Sequence, residues 1–252
     1  MRLARFRFAE RIATGVVEED IVRPLQGTYF EDPVPTGDEL PLPDVRLLAP
    51  VIPSKVVCVG RNYADHAAEL GNEVPAEPLL FLKPSTAVIG PDDPIPLPAA
   101  SGRVDHEAEL AVVIGRLCKG VSEEEAPAYV LGYTCGNDVT ARDLQERDGQ
   151  WSRAKGFDGF CPLGPWIDTE LDPAGVRVEA RVNGEVRQSA STELLTFTPA
   201  FLVSYVSQVM TLLPGDVLLT GTPAGVGPLA DGDHVEVEIE GLGVLRNRAV
   251  AA

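Results

Sequence analysis

The length, composition and charge of this chain exclude several classes of protein. Its 252 residues can form one large domain, or one domain with a small appendage, and 44% hydrophobic with 23% charged residues is ordinary for a globular protein. The formal net charge of −17 is spread along the chain, which argues against nucleic acid and anionic membranes as partners but is compatible with a local basic site for an acidic small molecule. No apolar stretch reaches the ~20 residues of a membrane span.

The start of the chain and its cysteines predict a cytoplasmic location. MRLARFRFAE lacks the apolar segment of a signal peptide. Cys58, Cys118, Cys135 and Cys161 are widely spaced and form no CxxC pair, so we expect reduced core thiols rather than a thiolate metal site.

The first fifty residues predict a small β-rich region followed by a connector. Apolar and polar side chains alternate from Leu3 to Phe8, and a second strand-like run covers 13–17. Residues 31–54 are rich in proline and acid, a composition that disfavours regular elements. We therefore predict a small N-terminal β domain with its proline-rich connector over residues 1–48, and one larger domain over residues 49–252.

From Lys55 onward, strand-like runs are frequent and helical patterns are few. The runs read VVCVG, EAELAVVIG, VRVEARVNG, DVLLTG and HVEVEIEGLG, and Asn183-Gly184 predicts a tight hairpin turn. Because strands dominate and do not alternate regularly with helices, we predict an α+β fold with a β-rich mixed sheet.

Three places carry helix-start signals. Thr198 followed by proline opens the clearest helix, AFLVSYVSQVMTLL. Ser122 and Glu125 have capping-box spacing before EEEAPAYVLGY, although Pro127 limits that helix, and Thr140 is a candidate cap for ARDLQERD.

Three carboxylates suggest a cation site. Glu107 and Glu109 alternate along a predicted strand and so share one of its faces, beside the apolar run 110–114. Asp138 follows another apolar run, at a point where the chain opens into a loop. Carboxylates without a cysteine or histidine cluster suit a hard divalent cation such as Mg²⁺ or Mn²⁺, although a solvated strand face is the alternative interpretation.

His66 and Glu69 form a second candidate pair. They lie three residues apart in GRNYADHAAELG, a spacing that puts both on one face of a helix. A carboxylate bonded to an imidazole orients it and raises its basicity, which gives a general base near neutral pH. Gly60 and Gly71 bracket the segment, so it could move as a lid, whereas the alternative is a surface pair on a short helix.

Six segments in order resemble the fumarylacetoacetate hydrolase family over roughly residues 50–250. They are GRNYADHAAELG at 60–71, FLKP at 81–84, DHEAELAVVIG at 105–115, GNDVTARDLQ at 136–145, RAKGFD at 153–158 and LLTGTPAGVG at 218–227. The resemblance implies the β-sandwich roll of that family, with the small N-terminal β domain that many bacterial members carry. It also implies a homodimer.

The resemblance also implies roles for particular residues. Mg²⁺ or Mn²⁺ would be held by Glu107, Glu109 and Asp138. The catalytic residues would be His66 and Glu69, as a base pair on a lid that stands away from the cation until substrate binds, and Lys155, which contacts substrate oxygens. The substrate-binding residues would be Tyr63, Arg142, Gln145 and Thr222, with Lys83 in a supporting role.

The implied activity is metal-dependent chemistry on a small 2-oxo acid through an enolate that the cation stabilises. Carbon–carbon bond hydrolysis of acylpyruvates comes first. Oxaloacetate decarboxylation or tautomerisation, and isomerisation or decarboxylation of 2-hydroxyhepta-2,4-diene-1,7-dioate, are the alternatives, because all of these reactions share the enolate. A non-catalytic metal- or ligand-binding member of the fold is the alternative of another class.

Overall fold

The computed structural model describes residues 1–31 and 33–252 and has the β-rich α+β fold that the sequence predicts. The strands, in chain order, are β1 (Arg2–Phe8), β2 (Arg11–Glu18), β3 (Ile21–Gln26), β4 (Val34–Pro35), β5 (Leu40–Pro41), β6 (Arg46–Leu48), β7 (Val56–Gly60), β8 (Leu79–Lys83), β9 (Val88–Ile89), β10 (Pro94–Leu97), β11 (Val104–His106), β12 (Ala108–Ile114), β13 (Val130–Asn137), β14 (Thr140–Ala141), β15 (Cys161–Asp168), β16 (Arg177–Val182), β17 (Glu185–Ser191), β18 (Val217–Leu219), β19 (Gly227–Pro228), β20 (His234–Ile239) and β21 (Gly243–Ala251).

Helices are short and few among the described residues. They are α1 (Ala64–Glu69), α2 (Arg142–Asp148), α3 (Ser152–Lys155) and α4 (Pro199–Val209), with 3₁₀ turns at Leu42–Asp44, Ser85–Ala87, Ala126–Tyr129 and Thr192–Leu194. In the part of the chain that the structure describes, no helix is long and apolar enough to span a membrane.

One large sheet joins the N-terminal strands to the rest of the molecule. Its order is β4-β3-β2-β1-β15-β13-β12-β18-β7-β8, with β5 paired to β3, β6 to β1 and β9 to β15. The N-terminal strands enter it where Leu3 pairs with Ile167. The expectation that residues 31–54 lack regular structure is too strong, because the short strands β4 and β5 fold back on β3 and β6 pairs with β1. The prolines of β4 and β5 are in edge strands, where they are tolerated. The proposed boundary after residue 48 stays a prediction.

Strand β12 lies at the centre of the core and is buried on both faces. Ala111 and Val113 pack into one apolar cluster, and Val112 and Ile114 into another, which helix α4 covers. A second sheet, β10-β21-β20-β16-β17, packs against the beginning of β12 through Leu110. The start of β12 therefore lies where the two sheets meet.

Two local predictions are confirmed. Asn183 and Gly184 both have positive φ, 52° and 82°, and connect β16 to β17 as a tight hairpin requires. The Thr198 hydroxyl accepts the N–H of Phe201 at 3.2 Å and caps α4, which ends at Val209.

Two other helix-start predictions need correction. Ser122 and Glu125 do form the reciprocal hydrogen bonds of a capping box, but a 3₁₀ turn follows and the chain then enters β13, because Pro127 and the apolar run 130–135 favour a strand. Thr140 lies in β14 and donates its hydroxyl to the carbonyl of Asp138 at 2.8 Å, so α2 begins after Ala141 without a side-chain cap.

Candidate active site

The three predicted carboxylates converge on one buried point. An oxygen of Glu107, one of Glu109 and one of Asp138 lie within 4.8 Å of one another. Antiparallel pairing of β12 with β13 brings Asp138 beside the glutamates, and its N–H donates to the carbonyl of Glu107 at 2.9 Å. The strand expected across 105–114 is interrupted at Glu107, between β11 and β12, yet the two glutamates still reach the same point.

Cationic side chains neutralise two of the three carboxylates. Lys83 donates to Asp138 at 2.5 Å, and Lys155 donates to both Asp138 at 2.6 Å and Glu107 at 2.8 Å. Arg142 donates to Glu107 at 2.5 Å. Glu109 has no such partner among the described residues and accepts the backbone N–H of Gly221 at 2.5 Å.

This uneven pairing separates the acidities of the two glutamates. Burial raises the pKa of Glu107, but the charges of Lys155 and Arg142 outweigh it and hold that pKa well below its usual range. Burial and the charges of Asp138 and Glu107 raise the pKa of Glu109 well above its usual value. Burial lowers the pKa of Lys155, but Asp138 and Glu107 more than offset this, so the ammonium stays charged.

The donor set fits a hard divalent cation. Carboxylate oxygens are the ligands that Mg²⁺ and Mn²⁺ prefer, and here three buried side chains supply them within a few ångström. The Glu109 carboxylate is buried without a cationic partner among the described residues, so a cation held beside Glu107, Glu109 and Asp138 would offset its charge. These three residues are the ones that would hold the metal.

His66 and Glu69 form the expected pair on α1. His66 Nδ1 lies 3.3 Å from a Glu69 oxygen, and the N–H of Gly225 donates to both Glu69 oxygens at 3.1 and 3.2 Å. His66 is only 5% exposed and lines the same cavity as the carboxylates. The helix therefore packs over the cavity, which differs from the expectation that it stands away from it.

The cavity has a volume of about 280 Å³ and contains nearly all of the predicted site residues. Its lining includes His66, Glu107, Glu109, Asp138, Arg142, Gln145, Lys155 and Thr222. Arg142 also donates to Asp105 at 2.9 Å and to Oε1 of Gln145 at 2.6 Å, so its guanidinium supports the cluster. The Gln145 amide nitrogen has no acceptor among the described residues.

Three predicted residues, Tyr63, Glu69 and Lys83, lie outside the cavity lining, and Glu69 acts on it through its contact with His66. Tyr63 is buried, forms a β-bridge with Leu195, and lines a smaller neighbouring cavity with Asp65 and Pro223. Tyr63 thus lies in the wall of a neighbouring cavity and not among the residues that line the cavity of the carboxylates, and its contact with the substrate stays a prediction. Lys83 supports the site through Asp138.

Sequence reasoning missed Gln188, which connects the parts of the site. Its Oε1 accepts the N–H of Ala108, between the two glutamates, at 2.9 Å, and its Nε2 donates to Thr222 Oγ1 and to the carbonyl of Pro223, each at 2.7 Å. Because the Ala108 N–H can only donate and the Pro223 carbonyl can only accept, these two partners fix the orientation of the amide. His106 Nδ1, at 3.1 Å from Oε1, must then carry a proton.

The match to known families settles the membership of the chain. The family model described as "Fumarylacetoacetate (FAA) hydrolase C-terminal" matches residues 55–250, and one described as "Rv2993c-like, N-terminal" matches residues 1–50. The chain belongs to the fumarylacetoacetate hydrolase family. As the family predicts, the cavity holds a carboxylate triad that could bind a metal.

Relatives in the fumarylacetoacetate hydrolase family carry several activity names. A solved structure named 2-hydroxyhepta-2,4-diene-1,7-dioate isomerase, from Mycobacterium marinum, is 50% identical, with a TM-score of 0.94 and coverage of 100% of this chain and 98% of that one. The mitochondrial oxaloacetate tautomerase Fahd2a of Rattus norvegicus is 48% identical over 84% of this chain and 71% of its own. A fumarylpyruvate hydrolase from Pseudomonas aeruginosa, solved with Mn²⁺ and pyruvate, is 37% identical, with a TM-score of 0.76 and coverage of 81% and 91%. Together these names support the conclusion that this chain is an enzyme.

Proposed function

We propose that this enzyme uses Mg²⁺ or Mn²⁺ to convert a 2-oxo acid into its enolate. The observation that carries the proposal is the buried cluster of Glu107, Glu109 and Asp138, which shares one cavity with His66 and Lys155. When bound at that cluster, the cation would act as a Lewis acid that polarises the 2-oxo group and acidifies the neighbouring carbon.

His66 is the residue that we propose as the base. Its Nδ1 faces the Glu69 carboxylate, which favours the tautomer with the proton on Nδ1 and leaves Nε2 free to accept a proton. Glu69 is itself held by the N–H of Gly225, so the imidazole is oriented before a ligand enters. Such a base contributes on the order of 10²–10⁴ in rate.

Lys155 is the residue that we propose as the oxyanion donor. Its ammonium is buried and stays charged because Asp138 and Glu107 face it. Its Nζ can therefore donate a hydrogen bond to a substrate oxygen that gains negative charge.

Tautomerisation of a 2-oxo diacid such as oxaloacetate is the reaction that we propose first. It requires only removal of a proton by His66 Nε2 and its return to another atom of the same molecule. The relatives named isomerase and tautomerase, at 50% and 48% identity, support this order over the hydrolase at 37%. Decarboxylation of oxaloacetate and isomerisation of the unsaturated diacid share the same enolate.

Acylpyruvate hydrolysis is the second candidate, and the pairing of His66 with Glu69 favours it. An oriented imidazole that can take a proton from carbon can also take one from water, which would then attack the distal carbonyl. The carbon–carbon bond would break and pyruvate would leave as its enolate.

One substrate panel tests the proposal. Purified protein with Mn²⁺, with Mg²⁺ or with EDTA is assayed on oxaloacetate enol–keto conversion, oxaloacetate decarboxylation, acetylpyruvate hydrolysis and isomerisation of the hydroxyheptadienedioate. We expect turnover that depends on the metal, fastest for tautomerisation. Metal binding without turnover of any of these substrates would contradict the proposal and favour a non-catalytic binder.

A further inference from the structure

Arg61 lines the cavity without a carboxylate partner among the described residues. The charges of the other cationic side chains in the lining are offset by protein carboxylates: Lys155 pairs with Glu107 and Asp138, and Arg142 pairs with Glu107. Arg61 therefore brings a positive charge to the cavity that the rest of the described protein leaves unpaired.

The backbone of Arg61 has an unusual conformation. Its φ is +60°, in the left-handed region that a long side chain rarely adopts. The residues on both sides hold it there. A Cβ at Gly60 would come within 2.7 Å of the Trp151 ring, and the Asn62 amide donates to the carbonyls of Thr220 and Phe197 at 2.7 and 3.0 Å. Such a conformation persists where the surroundings enforce it, and it often marks a functional position.

An aromatic wall orients the Arg61 side chain. Its guanidinium carbon lies 6.0 Å from the centroid of the Trp151 ring, and Trp151 packs edge-on against Phe81 at 5.2 Å. Both aromatic rings line the same cavity. A guanidinium held over a ring can still donate N–H groups from its edge in the fork geometry that matches a carboxylate.

We propose that Arg61 binds a second carboxylate of the substrate, so that the cavity selects 2-oxo dicarboxylates over 2-oxo monocarboxylates of equal length. This inference rests on the proposed function, because it takes the 2-oxo end of the ligand to lie at the carboxylate cluster. The negative charge of the protein is the reason why a second carboxylate needs a cationic partner. With a net charge of −17, and Glu146 also in the lining, a dianion needs a local cation to offset the repulsion.

A matched pair of ligands isolates the second carboxylate. 2-Oxoglutarate and 2-oxopentanoate have the same chain and differ in the group at the far end, carboxylate against methyl. Titration calorimetry of the Mn²⁺-loaded protein gives both dissociation constants for the wild type, Arg61→Gly and Arg61→Lys. Glycine suits the positive φ, so Arg61→Gly removes the guanidinium without straining the turn.

We expect the wild type to prefer the diacid by about 10- to 100-fold, as a hydrogen-bonded charged pair provides. In Arg61→Gly the preference should fall to about one, while the affinities for Mn²⁺ and for 2-oxopentanoate stay the same. Arg61→Lys should keep part of the preference. With oxaloacetate, Arg61→Gly should raise KM far more than it lowers kcat.

The other outcomes overturn the inference. A diacid preference that persists in Arg61→Gly would refute the role of Arg61 and leave the proposed function standing. Equal weakening of both ligands would assign Arg61 to the shape of the turn instead. A wild type that binds Mn²⁺ but neither ligand would refute the proposed function, and the inference with it.

Discussion

Replacing Glu109 with glutamine should have opposite effects on stability with and without a divalent cation. The wild-type carboxylate lies within 4.8 Å of two others and lacks the cationic partner that Glu107 and Asp138 have. Glutamine keeps the size of the side chain and an oxygen to accept the Gly221 N–H, but it removes the charge. Without a cation, Glu109→Gln should therefore stabilise the fold.

The size of the effect follows from the spacing. Two unit charges at 4.8 Å repel by roughly 3 kcal/mol at an effective dielectric constant of about 20. Attraction between Glu109 and Lys155 cancels part of this, and protonation of Glu109 relieves another part. We expect a gain of about 1–3 kcal/mol in the free energy of unfolding in EDTA at neutral pH.

The gain should depend on pH in a defined direction. The pKa of Glu109 is raised in the folded state, so above the ordinary value of 4.5 the folded chain retains a proton that the unfolded chain has lost. Wild-type stability therefore falls as pH rises from that value to the folded pKa, and then levels off. The glutamine variant lacks this loss, so its advantage should be small near pH 4.5 and grow toward neutrality.

Addition of Mn²⁺ should reverse the order. A ligand at 100 times its dissociation constant stabilises the protein that binds it by about 2.7 kcal/mol, and the variant lacks one of the three oxygen donors. Urea unfolding in EDTA and in Mn²⁺ at several pH values measures both effects, with Glu146→Gln, a neutral change elsewhere in the cavity lining, as the control. Destabilisation of Glu109→Gln in EDTA at neutral pH, or equal stabilisation of both proteins by Mn²⁺, would refute the reasoning.

Three further predictions concern His66, Gln188 and Asp216. His66→Ala should lower the rate of acetylpyruvate hydrolysis by about 10²–10⁴-fold and the rate of oxaloacetate decarboxylation by less. Its Mn²⁺ affinity in calorimetry should be unchanged, and weaker Mn²⁺ binding would contradict the assignment of His66 as a base that does not ligate the metal. Gln188→Leu should lower both the melting temperature and the Mn²⁺ affinity, because the Ala108 N–H loses its acceptor and the Thr222 hydroxyl loses the bond that it accepts. A fall in melting temperature alone would limit the role of Gln188 to stabilising the fold. Asp216→Asn should cost about 2–3 kcal/mol in urea unfolding at neutral pH, since the Asp216 carboxylate accepts from Ser54, Lys55 and Leu213. Burial raises the pKa of Asp216 but these bonds lower it below 3.8 overall, so the difference should shrink as pH falls through the folded pKa; a constant difference would contradict the linkage.

The parts of the site that sequence could predict are those encoded by short spacing. Alternation along a predicted strand indicated that Glu107 and Glu109 share one side, and the two do converge although the strand is interrupted at Glu107. The three-residue step of a helix likewise indicated that His66 lies near Glu69. The capped helix α4 follows from local signals of the same kind. In each case the information lies within a few residues, so no knowledge of the fold is needed.

The parts that sequence could not predict depend on distant contacts. Gln188 lies 80 residues beyond Ala108, and only the packing of the second sheet on β12 brings the two together. The same holds for Tyr63, which the fold places in the lining of a neighbouring cavity beside Pro223 and not with the carboxylates. Thr140 looked like a helix cap, but pairing of β14 with β11 uses that residue in a strand.

The distribution of charge over the cluster explains why one fold needs both buried lysines and buried glutamates. Lys83 and Lys155 come from separate segments and converge on Asp138, so the chain itself neutralises part of the charge of the cluster. Had every carboxylate been paired, a cation would gain little by binding. Glu109 is left unneutralised by the described side chains near the start of the buried strand β12, which concentrates the remaining negative charge at one point. The unneutralised charge of Glu109 lowers the stability of the metal-free fold and makes cation binding favourable. For this reason the Glu109→Gln variant should be more stable than the wild type without a cation and should bind the metal more weakly.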